Sequence, residues 1–210
     1  MKISAIVPVK SFSKAKSRLE MEAEAKTEIC RLMLEEILQT LSESAIIDET
    51  ILVSGDGQAL EIADRFGAVS IIDESESGVN HAVSLADRHV LEGGSDASIV
   101  LPQDIPFMRV QDIDFLLGFR SPPRFALIVP SRKFDGTNAL VRMPVDLMET
   151  HYDEDSYKIH LSVGRAKTPN TSLVFIRRMM MDIDDADDLH FGLARNEKPH
   201  LCDRIRRILT

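Results

Sequence analysis

From Ala97 to Pro106 the chain reads A-S-I-V-L-P-Q-D-I-P. Five residues of apolar or β-favouring character run into a polar pair, Gln103-Asp104, and Pro106 follows. The pattern predicts a buried strand over Ala97–Leu101 with an aspartate presented beyond its carboxyl end. In open α/β sheets the crevice beyond the carboxyl ends of the strands is where ligands bind. A carboxylate there is open to two readings. It holds a divalent metal against a phosphate, or it caps the following loop or helix.

Outward from that strand the chain alternates. Towards the N-terminus, Ile3 to Pro8 is a short apolar strand, and Val9 to Leu19 (V-K-S-F-S-K-A-K-S-R-L) is a basic loop with little periodicity. Ile29, Leu32, Met33, Ile37, Leu38 and Leu41 recur at helical spacing within Glu24–Ser44. Thr50–Ser54 is a second strand, Gln58–Phe66 a short helix and Val69–Asp73 a third strand. A helix from Gly78-Val79-Asn80 to Leu91 precedes Ala97. Towards the C-terminus, Val110 to Phe119 is helical and Phe125–Val129 is a strand. Up to this point the rhythm predicts a mostly parallel sheet with helices on both faces.

The rhythm then loosens. Ala139–Met143 reads as a short strand and Asp155–Ala166 as a helix. Ser172–Ile176 and Met179–Ile183 have strand character, Asp184–Leu193 is helical, and the tail to Thr210 holds one more helix. The expectation is a single domain over residues 1–210, regular to about residue 130 and more irregular from 131 onward.

The 210 residues carry a formal net charge of −9, which argues against non-specific nucleic-acid binding. It does not exclude a small phosphorylated ligand, because Lys10, Lys14, Lys16 and Arg18 crowd into one stretch of an acidic chain. No apolar run approaches the roughly 18 residues of a membrane span, and the first residues enter a strand rather than a signal peptide. Cys30 and Cys202 are the two cysteines, too few for a disulfide framework and without metal-ligand spacing. They read as small buried hydrophobes, in keeping with a cytoplasmic location.

Each candidate functional segment follows a strand. The basic loop supplies Lys10, Lys16 and Arg18, suited to a triphosphate and to the charge on a leaving pyrophosphate, or else to solvent. Neither a P-loop nor a dinucleotide fingerprint is present. Ser54-Gly55-Asp56 and Asn80 form a second group; Asn80 offers a donor and an acceptor to a base edge or ribose, or caps a helix. In Asp135-Gly136-Thr137-Asn138, backbone N–H groups and the Thr137 hydroxyl would meet an anion, unless the D-G pair is only a tight turn. Ser156 opens a helix whose free N–H groups also suit an anion, and His160 one turn later reads as a packed or surface side chain. In M-D-I-D-D-A-D-D-L from Met181, Asp182 is a candidate second metal ligand, ahead of Asp184, which looks like a helix N-cap.

As an ordered set, I-V-P-V-K, A-K-S-R-L, V-S-G-D, G-V-N-H-A, L-P-Q-D-I-P, D-G-T-N-A-L, D-S-Y-K-I-H and D-I-D-D-A-D-D-L resemble the 2-phospho-L-lactate guanylyltransferase family of coenzyme F420 biosynthesis, over nearly the whole chain. The resemblance implies a three-layer glycosyltransferase-A-like nucleotidyltransferase fold with a mostly parallel, mixed central sheet. It implies joining 2-phospho-L-lactate to the guanylyl group of GTP, with release of pyrophosphate, and it implies Mg2+ and a homodimer. By the same resemblance Asp104 and Asp182 match the metal-holding carboxylates, and Lys10, Lys16 and Arg18 the basic loop at the triphosphate. Ser54, Asp56 and Asn80 fall where the nucleoside is held, and Thr137, Asn138 and Ser156 where the phosphorylated acid is held. Two departures stand out. The glycine-rich loop of related sugar-nucleotide enzymes is V-K-S-F-S-K-A-K here, and Asp153 follows Tyr152 where family members often have glycine. Phosphoenolpyruvate, a phosphoglycerate or a sugar phosphate are alternative acceptors, and a non-catalytic nucleotide sensor is the rival of a different class.

Overall fold

A computed structural model describes residues 1–210 apart from Ser17 and Glu154. In chain order its elements are β1 (Ile3–Val9), α1 (Ala23–Ser42), β2 (Glu49–Ser54), α2 (Gly57–Arg65), β3 (Val69–Ile72), α3 (Val79–Glu92), β4 (Ala97–Val100) and α4 (Val110–Leu117). They continue with β5 (Phe125–Pro130), β6 (Thr137–Met143), α5 (Ser156–Lys167), β7 (Thr171–Leu173), α6 (Ala186–Arg195) and α7 (Pro199–Ile208). One seven-stranded sheet has the order β3-β2-β1-β4-β6-β5-β7. The pairs β3–β2, β2–β1, β1–β4 and β5–β7 are parallel, whereas β6 runs antiparallel to both β4 and β5.

β4 sits in the middle of the sheet, and all of its residues are buried. Apolar residues on both of its faces are what a central strand requires. Beyond its last residue, Leu101 still donates its N–H to Ile6 O at 2.9 Å, so the ladder reaches the loop that carries Asp104. Because β6 is reversed, Val100 faces Leu140 and Ser98 faces Arg142. The first residues of β6, Thr137 and Asn138, therefore lie at the end of the sheet where β1 and β4 finish.

Alternation along β1 divides the core. Ala5, Val7 and Val9 join the cluster packed against α1, α2, α4, α6 and α7, while Ile6 joins the one against α3 and α5. The result is three layers. Gly192 brings α6 close to the loop after β4, since a Cβ there would overlap the Phe107 ring. Among the described residues, no helix is long and apolar enough to cross a membrane.

The alternating first half forms as the sequence predicts; the second half differs in three places. Met179–Ile183 is not a strand: Met179, Met181 and Ile183 are buried alternately, but the segment turns on itself through Met180 N–H to Ile176 O at 3.0 Å. Its period came from packing against a core rather than from a ladder. The expected strand over Ser172–Ile176 is confined to Thr171–Leu173 at the sheet edge, paired with β5. The N-cap of α6 is Asp185 rather than Asp184; Asp185 has extended backbone and accepts from Asp188 N at 2.9 Å. That frees Asp184 for another role.

Candidate active site

Four segments converge where β1 and β4 end and β6 begins. They enclose a cleft of about 520 Å3 lined by Lys10, Lys14, Lys16 and Arg18, by Gln103 and Asp104, by Asp135 to Asn138, and by Tyr152, Asp153, Ser156, Asp182 and Asp184. All of the basic residues and carboxylates singled out after β1, β4 and β7 meet here.

Asp104 and Asp182 are brought together by the backbone. Ile183 donates its N–H to Asp104 O at 2.9 Å, which aligns the loop after β4 with the segment before α6. Lys16 Nζ then reaches Asp104 Oδ2 and Asp184 Oδ1, each at 2.6 Å. Burial opposes its charge, but the carboxylates of Asp104 and Asp184 outweigh that and hold the ammonium above the usual lysine range. Lys16 adopts a left-handed backbone with φ of 53°, an uncommon conformation for a side chain of this kind. The loop spends conformational strain to place this one cation between the two acids.

Asp182 is pushed up to about 6 by burial first, and then by the charges of Asp104 and Asp184; hydrogen bonding from Asn138 acts in the opposite direction. A carboxyl raised by two neighbouring carboxylates marks a locus with excess negative charge and hard oxygen donors. Mg2+ is held in this way, through one or two carboxylates with substrate phosphates completing the shell. Among the described residues, no group of three or more His, Cys, Asp or Glu side chains converges as a closed metal cage. Asp104 and Asp182 are the residues that could hold such an ion, with a phosphorylated ligand completing its shell.

The basic loop is strapped from the outside. Phe12 N–H donates to Asp56 Oδ2 at 2.9 Å, and Ser11 N–H donates to Glu76 Oε1 at 3.1 Å. Lys14 also pairs with Glu76. Asp56 meanwhile caps α2, accepting from Gln58 N at 2.9 Å and Ala59 N at 3.3 Å, and Ser54 Oγ accepts from Asp56 N at 3.0 Å. Ser54 and Asp56, expected at the nucleoside, do not line the cleft; their side chains hold α2 and the basic loop in place. Asn80 does not line it either. Its Oδ1 accepts from Tyr152 N at 2.8 Å, and Gly78, not Asn80, stands at the N-cap of α3. Asn80 thus joins α3 to the loop that precedes α5.

The opposite wall carries Thr137, Ser156 and Asn138, as the sequence grouping anticipates. Ser156 Oγ donates to Thr137 Oγ1 at 3.0 Å. Asn138 Nδ2 donates to Met179 O at 3.0 Å, tying β6 to the segment that carries Asp182. α5 begins after Asp155, whose side chain makes no capping hydrogen bond, so the leading N–H groups are free of a side-chain cap. Tyr152, Asp153, Gln103 and Lys14 also line the cleft. Tyr152 and Gln103 carry no distinguishing pattern in the sequence, whereas Lys14 stands out there in the basic cluster and Asp153 as a departure from the family. Gln103 Oε1 is buried with no hydrogen-bond partner among the described residues, a free acceptor in the loop after β4.

The family model described as guanylyl transferase CofC-like matches residues 3–206. The chain belongs to this family. Membership makes it a nucleotidyltransferase, in agreement with a cleft that combines a cationic loop, neighbouring carboxylates and a wall carrying Thr137, Ser156 and the start of α5. Among curated relatives, the phosphoenolpyruvate guanylyltransferase of Conexibacter woesei is 31% identical, over 90% of this chain and 86% of that protein. The 2-phospho-L-lactate guanylyltransferase of Methanothermobacter thermautotrophicus is 26% identical, over 99% of this chain and 92% of that protein. Among solved structures, the 4-diphosphocytidyl-2C-methyl-D-erythritol synthase of Anaerococcus prevotii superposes with a TM-score of 0.64 at 14% identity, covering 94% of this chain and 96% of that one. At such identity the likeness concerns the fold, and the fold of this CofC-like chain is the glycosyltransferase-A-like nucleotidyltransferase type.

Proposed function

We propose that the chain transfers the guanylyl group of GTP to the phosphate of a three-carbon phosphorylated carboxylic acid, releasing pyrophosphate. The observation that carries this reading is the single cleft in which the Lys10–Arg18 loop and the Asp104–Asp182 pair face Thr137 and Ser156. No protein nucleophile is needed. A phosphate oxygen of the acceptor attacks the α-phosphorus in line, a new P–O–P bridge forms, and the bond to pyrophosphate breaks. Lys10, Lys16 and Arg18, with Lys14 beside them, meet the charge that accumulates on the departing pyrophosphate. Thr137, Ser156 and the start of α5 hold the acceptor's anionic groups. Asp104 and Asp182 would hold a divalent cation, which would supply charge neutralisation at the reacting phosphates. Ser54, Asp56 and Asn80 act on the nucleotide only through the loops they position.

The sequence resemblance points to 2-phospho-L-lactate as acceptor and to a place in coenzyme F420 biosynthesis. Relatives carry both acceptor names, and the higher identity to one named for phosphoenolpyruvate, 31% against 26%, favours that acid. An acceptor panel with labelled GTP, ATP and CTP tests the reading. Phosphoenolpyruvate or 2-phospho-L-lactate should give a guanylylated product with GTP alone. Transfer only to sugar phosphates, or nucleotide binding without turnover, would overturn it. A cytoplasmic homodimer goes with the same family reading, and a monomer by light scattering would remove the dimer.

A further inference from the structure

His160 is fully buried on α5, and its ring is hydrogen-bonded at both nitrogens. The His151 backbone N–H lies 2.8 Å from Nε2. A backbone amide can only donate, so Nε2 carries the lone pair. Burial, and after it the charges of His151 and Arg142, pushes the imidazole down to about 3, so the ring is neutral and its one proton resides on Nδ1. Nδ1–H then points at Thr137 Oγ1, 2.9 Å away.

Thr137 Oγ1 also accepts from Ser156 Oγ at 3.0 Å. A hydroxyl has two lone pairs and one proton. With both lone pairs engaged by His160 and Ser156, only the proton remains, on a side chain that lines the cleft. We infer that His160 is a positioning residue that fixes the Thr137 hydroxyl as an obligatory donor to an unprotonated carboxylate or phosphate oxygen of the acceptor acid. The inference rests on the proposed acceptor chemistry. It adds a polarity filter: a group with no lone pair to offer at this position, such as an ammonium, would meet a second donor and be rejected, because an unpaired buried polar group is costly.

A double-mutant cycle read on the acceptor tests it. Thr137→Val should lower kcat/KM for the acceptor roughly 10- to 100-fold, the effect of losing one hydrogen bond to a charged group, with KM for GTP unchanged within about twofold. His160→Phe should cost as much, and the double variant no more than either single one. His160→Asn, which can place an N–H where Nδ1–H stands, should recover most of the loss. Long-range 1H–15N NMR on the wild-type protein should show His160 protonated at Nδ1 and unchanged between pH 5 and 8. Additive losses in the cycle, or a proton on Nε2, would overturn the assignment. If the tautomer is as stated but no phosphorylated acid accepts a guanylyl group, the proposed function has failed, and the His160 geometry has not.

Discussion

The backbone N–H of Ile183 donates to the carbonyl of Asp104 across 2.9 Å, joining two segments 79 positions apart in the chain. The flanking carboxylates gain their proximity from that bond, and Lys16 reads the arrangement by touching Asp104 and Asp184 together.

Asp104→Asn keeps the shape of the loop and removes one charge from the pair. Turnover should fall by on the order of 10² to 10³, measured as pyrophosphate release, with the thermal midpoint little changed. Near wild-type release from this variant would dismiss Asp104 as a metal donor.

Lys16→Met removes the cation between Asp104 and Asp184 while keeping most of the side-chain volume. Turnover should drop about 100-fold, as for other electrostatic stabilisers. Binding of Mn2+, followed by its paramagnetic resonance signal, should tighten, because no ammonium competes for Asp104. Weaker Mn2+ binding would mean that Lys16 organises the acids rather than competing with the ion.

Asp153 places a carboxylate on the wall where we propose that an anionic acid sits. Removing that charge with Asp153→Asn should improve acceptor binding by roughly 1 kcal/mol, the scale of a solvent-screened charge pair, or about fivefold in KM. The KM for GTP should stay level, and an unchanged acceptor KM would place Asp153 outside the reach of the acid.

His160 also sets a pH dependence of stability. The groups facing it are His151 and Tyr152 from the preceding loop and Thr137 and Arg142 from β6. Its folded-state value of about 3 lies below the ordinary 6.5, so between these values the unfolded chain binds the proton and the folded one does not. Its contribution is fully present above about pH 6.5 and is lost as pH falls towards 3, at roughly 1.4 kcal/mol per pH unit. Urea unfolding at pH 7.5 and 5.0 should show a larger drop for wild type than for His160→Gln. Equal drops in the two proteins would mean that His160 is protonated in the folded state.

Much of this was legible before any coordinates. A buried strand ending in an aspartate, repeated strand–helix alternation and a basic loop in an acidic chain are local signals, and each survives folding because burial and period enforce it. Met181–Asp188 was harder. Five aspartates in a short run can each cap a helix, and the cap is Asp185, whose backbone is extended at the helix start and whose side chain accepts from Asp188 N. Ser54, Asp56 and Asn80 show a different limit. Their polarity suggests a ligand, but does not announce the backbone groups they accept from: Phe12 N for Asp56, Tyr152 N for Asn80 and, two residues on, Asp56 N for Ser54. The role of His160 could not be read at all, since it depends on one amide, from His151, fixing a tautomer across a turn.

The reversal of β6 has a consequence for how such an enzyme changes over time. One wall of the cleft is made where strands β1 and β4 finish, and the other where β6 starts. The two walls belong to chain segments of opposite direction, joined by separate loops. With the acid placed as proposed, substitutions around Thr137 and Ser156 should retune which acid is accepted while the loops after β1 and β4 keep their place. A lineage can explore new acceptors while its handling of the nucleotide stays constant.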